Sequence, residues 1–187
     1  MSPQQTESIL QGWPEESREA AQLVVDAYGE PAEATDSYLT WHDVGPWTRV
    51  VASREFYRHE FPAPHIDAVE SVVSYRVPPD KVSALAQFDG SVVVERTAGE
   101  VSARCHDEQA NFLALNLMHD IVTGQRDVED ARNYYAKEFL DARRKRPTPY
   151  MDGLRFPADD RSAADPDARV LSDEELERAV AEGDKGG

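Results

Sequence analysis

The stretch CHDEQANFLALNLMHDIVTG, Cys105 to Gly124, constrains this chain more than any other. Apolar side chains recur there at helical spacing, with Ala110, Leu113, Ala114, Leu117, Met118 and Ile121 on one wide arc. Gln109, Asn116, Asp120 and Thr123 line the opposite strip. Asp107 stands where a cap belongs and Gly124 where a helix ends, so the spacing predicts a central packing helix over residues 108–123. Asp127 then caps a second helix, whose stripe is Val128, Ala131, Tyr135, Phe139 and Ala142. The TGQR connection between them is short enough for an antiparallel pair.

The same stretch carries two His-Asp pairs, which invite a catalytic reading. On an ideal helix Asp107 and His119 point about 120° apart and lie about 18 Å from each other along the axis, so they share no site. His119 falls at the edge of the apolar arc, where a polar tip over an apolar body explains it. Cys105 and His106 are neighbours at a strand end and are expected to project to opposite faces, which disfavours a thiol–imidazole pair. Cys105 then reads as a small buried hydrophobe.

Upstream, the segment PEESREAAQLVVDAY, Pro14 to Tyr28, reads as a helix with Pro at its first position and Gly29 as its stop. YLTW and WTRVVA, separated by HDVGP, read as strands around a turn, with His42 and Asp43 serving that turn. AVESVVSYRV alternates, with Val69, Ser71, Val73, Tyr75 and Val77 on one side, and reads as a half-buried strand. PPDKVSALAQFDG gives a short helix, and SVVVERTAGEVSARC a hairpin with Gly99 at its left-handed turn position. Hairpins imply antiparallel pairing. The expected fold is therefore α+β: an antiparallel sheet of four or five strands, with helices packed over one face.

The chain has 187 residues, enough for one domain. Residues 1–12 are expected to be a flexible N-terminus, residues 13–156 the domain, and residues 157–187 a disordered acidic tail with a short helix after Ser172. Thirty-six acidic against 20 basic side chains give a net charge of −16, which repels phosphate backbones and anionic lipid, so neither nucleic acid nor a membrane is an expected partner. One cysteine allows no internal disulfide. No apolar run reaches membrane-spanning length and the N-terminus has no signal-peptide pattern, so the expected location is the cytoplasm.

An acidic surface on which Arg far outnumbers Lys resembles that of haloarchaeal cytosolic proteins. The segments GPWTRVV, FPAPHIDAVESVVSYRVPPDKV, DGSVVVERTAGEVSARC and NFLALNLMHDIVTG resemble a family of uncharacterised prokaryotic domains. That resemblance implies no activity.

Two groups of residues are candidates for function. In HEFPAPHID, His59, His65 and Asp67 offer two nitrogens and an oxygen to a divalent metal, and His65 and Asp67, two apart on an extended chain, point to one side. The spacing matches no established zinc pattern. The basic run Arg143, Arg144, Lys145 and Arg146 ends a helix in an otherwise acidic chain, and with Tyr150 it offers a docking spot for a ligand or an acidic partner. Because no polar set is forced together by spacing, the leading expectation is a non-enzymatic accessory or interaction protein with an unidentified protein partner or self-association. A metal-dependent or small-molecule enzyme centred on His59, His65 and Asp67 is the alternative, and a small-ligand-binding protein without chemistry is the third reading.

Overall fold

The Asp107 carboxylate accepts the Ala110 backbone N–H at 2.8 Å, and Gly124 closes the same helix at φ +77°. Both ends therefore lie where capping chemistry puts them. The structure, a computed structural model, describes residues 2–158 and 163–183. In chain order its elements are α1 (Pro3–Leu10), α2 (Glu15–Tyr28), β1 (Glu33–Ala34), β2 (Tyr38–Val44), β3 (Trp47–His59), β4 (His65–Ser74), α3 (Val82–Phe88), β5 (Val92–Glu95), β6 (Glu100–Cys105), α4 (Glu108–Thr123), α5 (Val128–Arg143) and α6 (Asp173–Gly183).

The strands form one antiparallel sheet of six, ordered β1-β2-β3-β4-β6-β5. The class is α+β as expected, with one strand beyond the four or five read from the sequence. The extra strand is β1, a two-residue edge that pairs Glu33 with Thr40 and is too short to leave an alternating pattern. His42 lies within β2 opposite Arg49, and the turn beyond it is made by Asp43 and Gly45 at positive φ.

Helices α2 and α4 cover the sheet face that carries Val50, Val69 and Ser71. Ala20 and Val24 of α2 border a small cavity with those three residues, while Asn111 of α4 donates to the Val69 carbonyl at 3.1 Å and to Ser71 Oγ at 2.9 Å. Trp47 stacks on Phe112 at 4.8 Å. Leu113, Leu115, Leu117 and Met118 are fully buried. Each such side chain contributes about 1.5 to 3 kcal/mol by leaving water, which makes α4 the centre of the core. The β4 strand is also buried on its far face, through Ala68 and Val72, as a central strand must be.

Both terminal segments contain ordered elements. Instead of a flexible arm, the N-terminus forms α1, because Ser2 and Gln5 make a reciprocal capping box and Pro3 starts the helix; Leu10 is buried. Within the expected tail, residues 163–167 are pinned to the β5–β6 hairpin. Ala163 is buried against Gly99, Asp165 N–H donates to the Arg96 carbonyl at 2.9 Å, and Arg96 pairs with Asp165 at 2.9 Å and Asp167 at 2.6 Å. The α6 helix follows the Ser172–Glu175 capping box and buries no side chain. Residues 159–162 and 184–187 of the expected tail lie outside the described residues.

Candidate metal centre

Cross-strand register builds this site. His59, the last residue of β3, pairs directly with His65, the first of β4, so the two rings rise from one side of the hairpin with centroids 4.9 Å apart. Asp67 and Val69 follow on that side by the two-residue period of a strand. Cys105 pairs with Val69 across the β4–β6 ladder and therefore stands on the same face. EFPAP is the loop of this hairpin, closed through a cis Phe61–Pro62 bond.

One donor atom each from His59, His65 and Asp67 lies within 4.8 Å of the other two. His59 Nδ1 is 3.5 Å from Asp67 Oδ2, and His65 Nε2 is 3.3 Å from Asp67 Oδ1. Two ligands each about 2.1 Å from a tetrahedral metal stand about 3.4 Å apart, so these separations suit a shared ion. Asp67 is buried, and its Oδ1 has no hydrogen-bond partner. The His65 contact is thus a charge contact at the right distance without a directed N–H bond. Burying a carboxylate oxygen in that state is costly unless something else binds it.

The surrounding residues orient the donors. His65 Nδ1 lies 2.8 Å from the Ala63 carbonyl, which only accepts, so Nδ1 carries a proton and Nε2 is left facing Asp67. His59 presents Nε2 to Asp89 Oδ1 at 3.6 Å, and Ser91 Oγ lies 3.0 Å from its Nδ1. Asp89 is itself fixed, since its Oδ1 accepts from both the backbone N–H and the hydroxyl of Ser91 at 2.8 Å. A carboxylate behind a metal-binding imidazole is the usual supporting arrangement. Nothing in the sequence near position 59 announces Asp89 or Ser91; the α3–β5 junction delivers them.

Cys105 and His106 depart from expectation. Cys105 Sγ is 3.6 Å from His106 Nδ1, because β6 ends at Cys105 and the chain turns at once into the Asp107 cap, so strand alternation no longer applies. His106 Nε2 meets Asp107 Oδ2 at 2.7 Å. That contact, helped by Cys105 and opposed by burial, pushes the His106 pKa up to about 10. Burial works against the Asp107 carboxylate, yet the His106 ring outweighs it and holds its pKa below the ordinary value. Burial also lowers the His65 pKa, but Asp67 and Cys105 together push it up to about 11. His119, by contrast, is structural: its Nδ1 is 2.8 Å from the Tyr75 hydroxyl, and its ring stacks on Phe156 at 4.7 Å.

His65, Cys105 and His106 form one wall of a cleft of about 630 Å³, and the C-terminal end of α5 forms the other, with Arg143 and Arg146 on the lining. Tyr150 is turned inward. Its hydroxyl donates to Asp120 Oδ2 at 2.9 Å and its backbone N–H to the buried Glu138 carboxylate at 3.2 Å. Asn116 holds the same segment by donating to the Tyr150 and Gly153 carbonyls at 2.9 and 2.8 Å and accepting from Arg155 N–H at 2.7 Å. Residues 150–155 therefore cover Asn116 and Asp120 on the polar strip of α4, while Gln109 and Thr123 stay exposed. Arg144 lies 3.7 Å from Asp141, and Lys145 has a positive φ of 54° where α5 ends.

Among the described residues, no helix is long and apolar enough to cross a membrane. Compared with known protein families, with curated proteins and with solved structures, the chain gives no match.

Proposed function

We propose that the protein is a metal-dependent enzyme acting on a small molecule, with one divalent transition metal held by His59, His65 and Asp67. The observation that carries this reading is the buried Asp67 Oδ1, which has no hydrogen-bond partner and sits 3.3 Å from His65 Nε2. Two imidazoles and one carboxylate suit zinc, iron or manganese, and three protein ligands leave positions open for water or substrate. When bound, the ion would supply Lewis acidity for activating water or polarising a substrate oxygen. His65 is on the cleft wall, so the centre borders a space of small-molecule size. A cytoplasmic setting without nucleic acid is supported by the single cysteine and the net charge of −16.

The test is elemental analysis of protein purified without chelator. About one metal per chain is expected in the native protein, and its loss in His65→Ala. Metal content that His65→Ala leaves unchanged removes the proposal.

A second reading, a non-enzymatic interaction protein, is favoured by one observation. Leu171, Leu176 and Val180, in and beside α6, are exposed, and that helix buries no side chain. A strictly monomeric protein in concentrated salt that recovers no specific partner counts against it.

A further inference from the structure

The cleft gathers arginine in an otherwise acidic molecule. In a chain of net charge −16, its lining carries Arg143 and Arg146 against Asp107 and Asp152. Asp107 is already committed to His106 Nε2 at 2.7 Å and to the Ala110 N–H at 2.8 Å. Arg143 lies over Phe139, 3.5 Å from guanidinium carbon to ring centre, with Nη1 donating to the Phe139 carbonyl at 3.3 Å. It has no carboxylate partner among the described residues. Arg146 shares the single Asp141 carboxylate, at 3.5 Å, with Lys137 at 2.9 Å and Arg144 at 3.7 Å. Three cations on one carboxylate leave positive charge over, and a concave wall concentrates its field.

We propose that this cleft binds a small molecule bearing an oxyanion head group, a phosphate or a carboxylate, gripped by Arg143 and Arg146 opposite the His65 wall. The planar guanidinium fork matches either head group with paired N–H donors. Phe139, Ala142, Met151 and Ala110 line the remainder, and about 630 Å³ holds more than an inorganic ion, so the ligand carries an organic body as well. This names the substrate class of the proposed enzyme and rests on that reading only for what is done to the ligand; the anion site itself does not require the metal.

The experiment titrates full-length, metal-stripped protein with phenyl phosphate, benzoate and the uncharged benzyl alcohol at constant ionic strength, followed by backbone amide shifts. Saturable shifts centred on residues 143–151 and Ala110 are expected for at least one anion and not for benzyl alcohol. The double variant Arg143→Gln/Arg146→Gln is expected to weaken the anion by about tenfold or more, with part of the affinity retained in Arg143→Lys/Arg146→Lys. Benzyl alcohol binding as tightly as both anions, absence of saturable binding, or undiminished binding in the Gln variant overturns the proposal. His59→Ala, which removes a proposed ligand without touching the cleft lining, is expected to keep the anion and lose the metal. Metal binding measured on the Gln variant completes the separation: anion without metal removes the enzyme reading and keeps this site, and metal without anion does the reverse.

Discussion

His65 Nε2 stands 3.3 Å from Asp67 Oδ1, and that oxygen, buried beneath the β3–β4 hairpin, accepts no hydrogen bond. A protein interior seldom leaves a carboxylate oxygen so placed without a function or a bound ion. Asp67→Asn keeps the volume and removes the charge. It is expected to lower zinc affinity by at least about a hundredfold, beyond what the loss of a supporting residue does, while the circular dichroism spectrum stays unchanged. Competition against a chromophoric chelator measures the affinity.

Asp89 acts one step further out, behind His59 Nε2 at 3.6 Å. Asp89→Asn is therefore expected to weaken metal binding by about 10 to 100-fold without abolishing it. An effect as large as that of His59→Ala would place Asp89 among the ligands instead.

The His106–Asp107 contact makes a prediction in pH. The folded pKa of His106 is raised from the ordinary 6.5 to about 10, so its contribution to stability is fully present below pH 6.5 and is lost as pH rises through about 10. The His106 ring resonances in metal-free protein are expected to show no titration between pH 6 and 8. In Asp107→Asn the midpoint is expected to fall toward 6.5. A wild-type midpoint below 8 contradicts the geometry.

Asn116 satisfies three backbone groups of residues 150–155, at 2.7 to 2.9 Å. Asn116→Ala leaves them without those partners and opens a void beside α4, for an expected loss of about 2 to 4 kcal/mol in urea unfolding. Hydrogen exchange is expected to rise first at residues 150–155.

Gly99 stands at φ +70°, where a Cβ would overlap the Ala163 and Ala164 backbone. Gly99→Ala is expected to release residues 163–167 from Arg96, which limited proteolysis reads as faster cleavage in that segment. An unchanged cleavage pattern contradicts the close approach.

How much of this was legible in the sequence follows from the range of each interaction. The α4 helix was, to its ends, because Asp107 and Gly124 act on their own turns and Leu113, Leu117 and Ile121 share one face. His65 and Asp67 were legible as a same-side pair for the same local reason. His59 opposite His65 required the hairpin register, and Asp89 with Ser91 required the path of the chain from α3 into β5, so neither shows as a spacing. Asn116 and Asp120 read as the polar side of a helix. In the structure they anchor residues 150–155, through contacts 34 and 30 residues away in sequence.

The measurement closest to the central claim is a cobalt titration of metal-stripped protein followed by visible absorption. Ligand-field bands are expected to saturate at about one equivalent per chain in the native protein and to be missing in Asp67→Asn. Bands that are absent from the native protein, or present and equal in Asp67→Asn, contradict that claim.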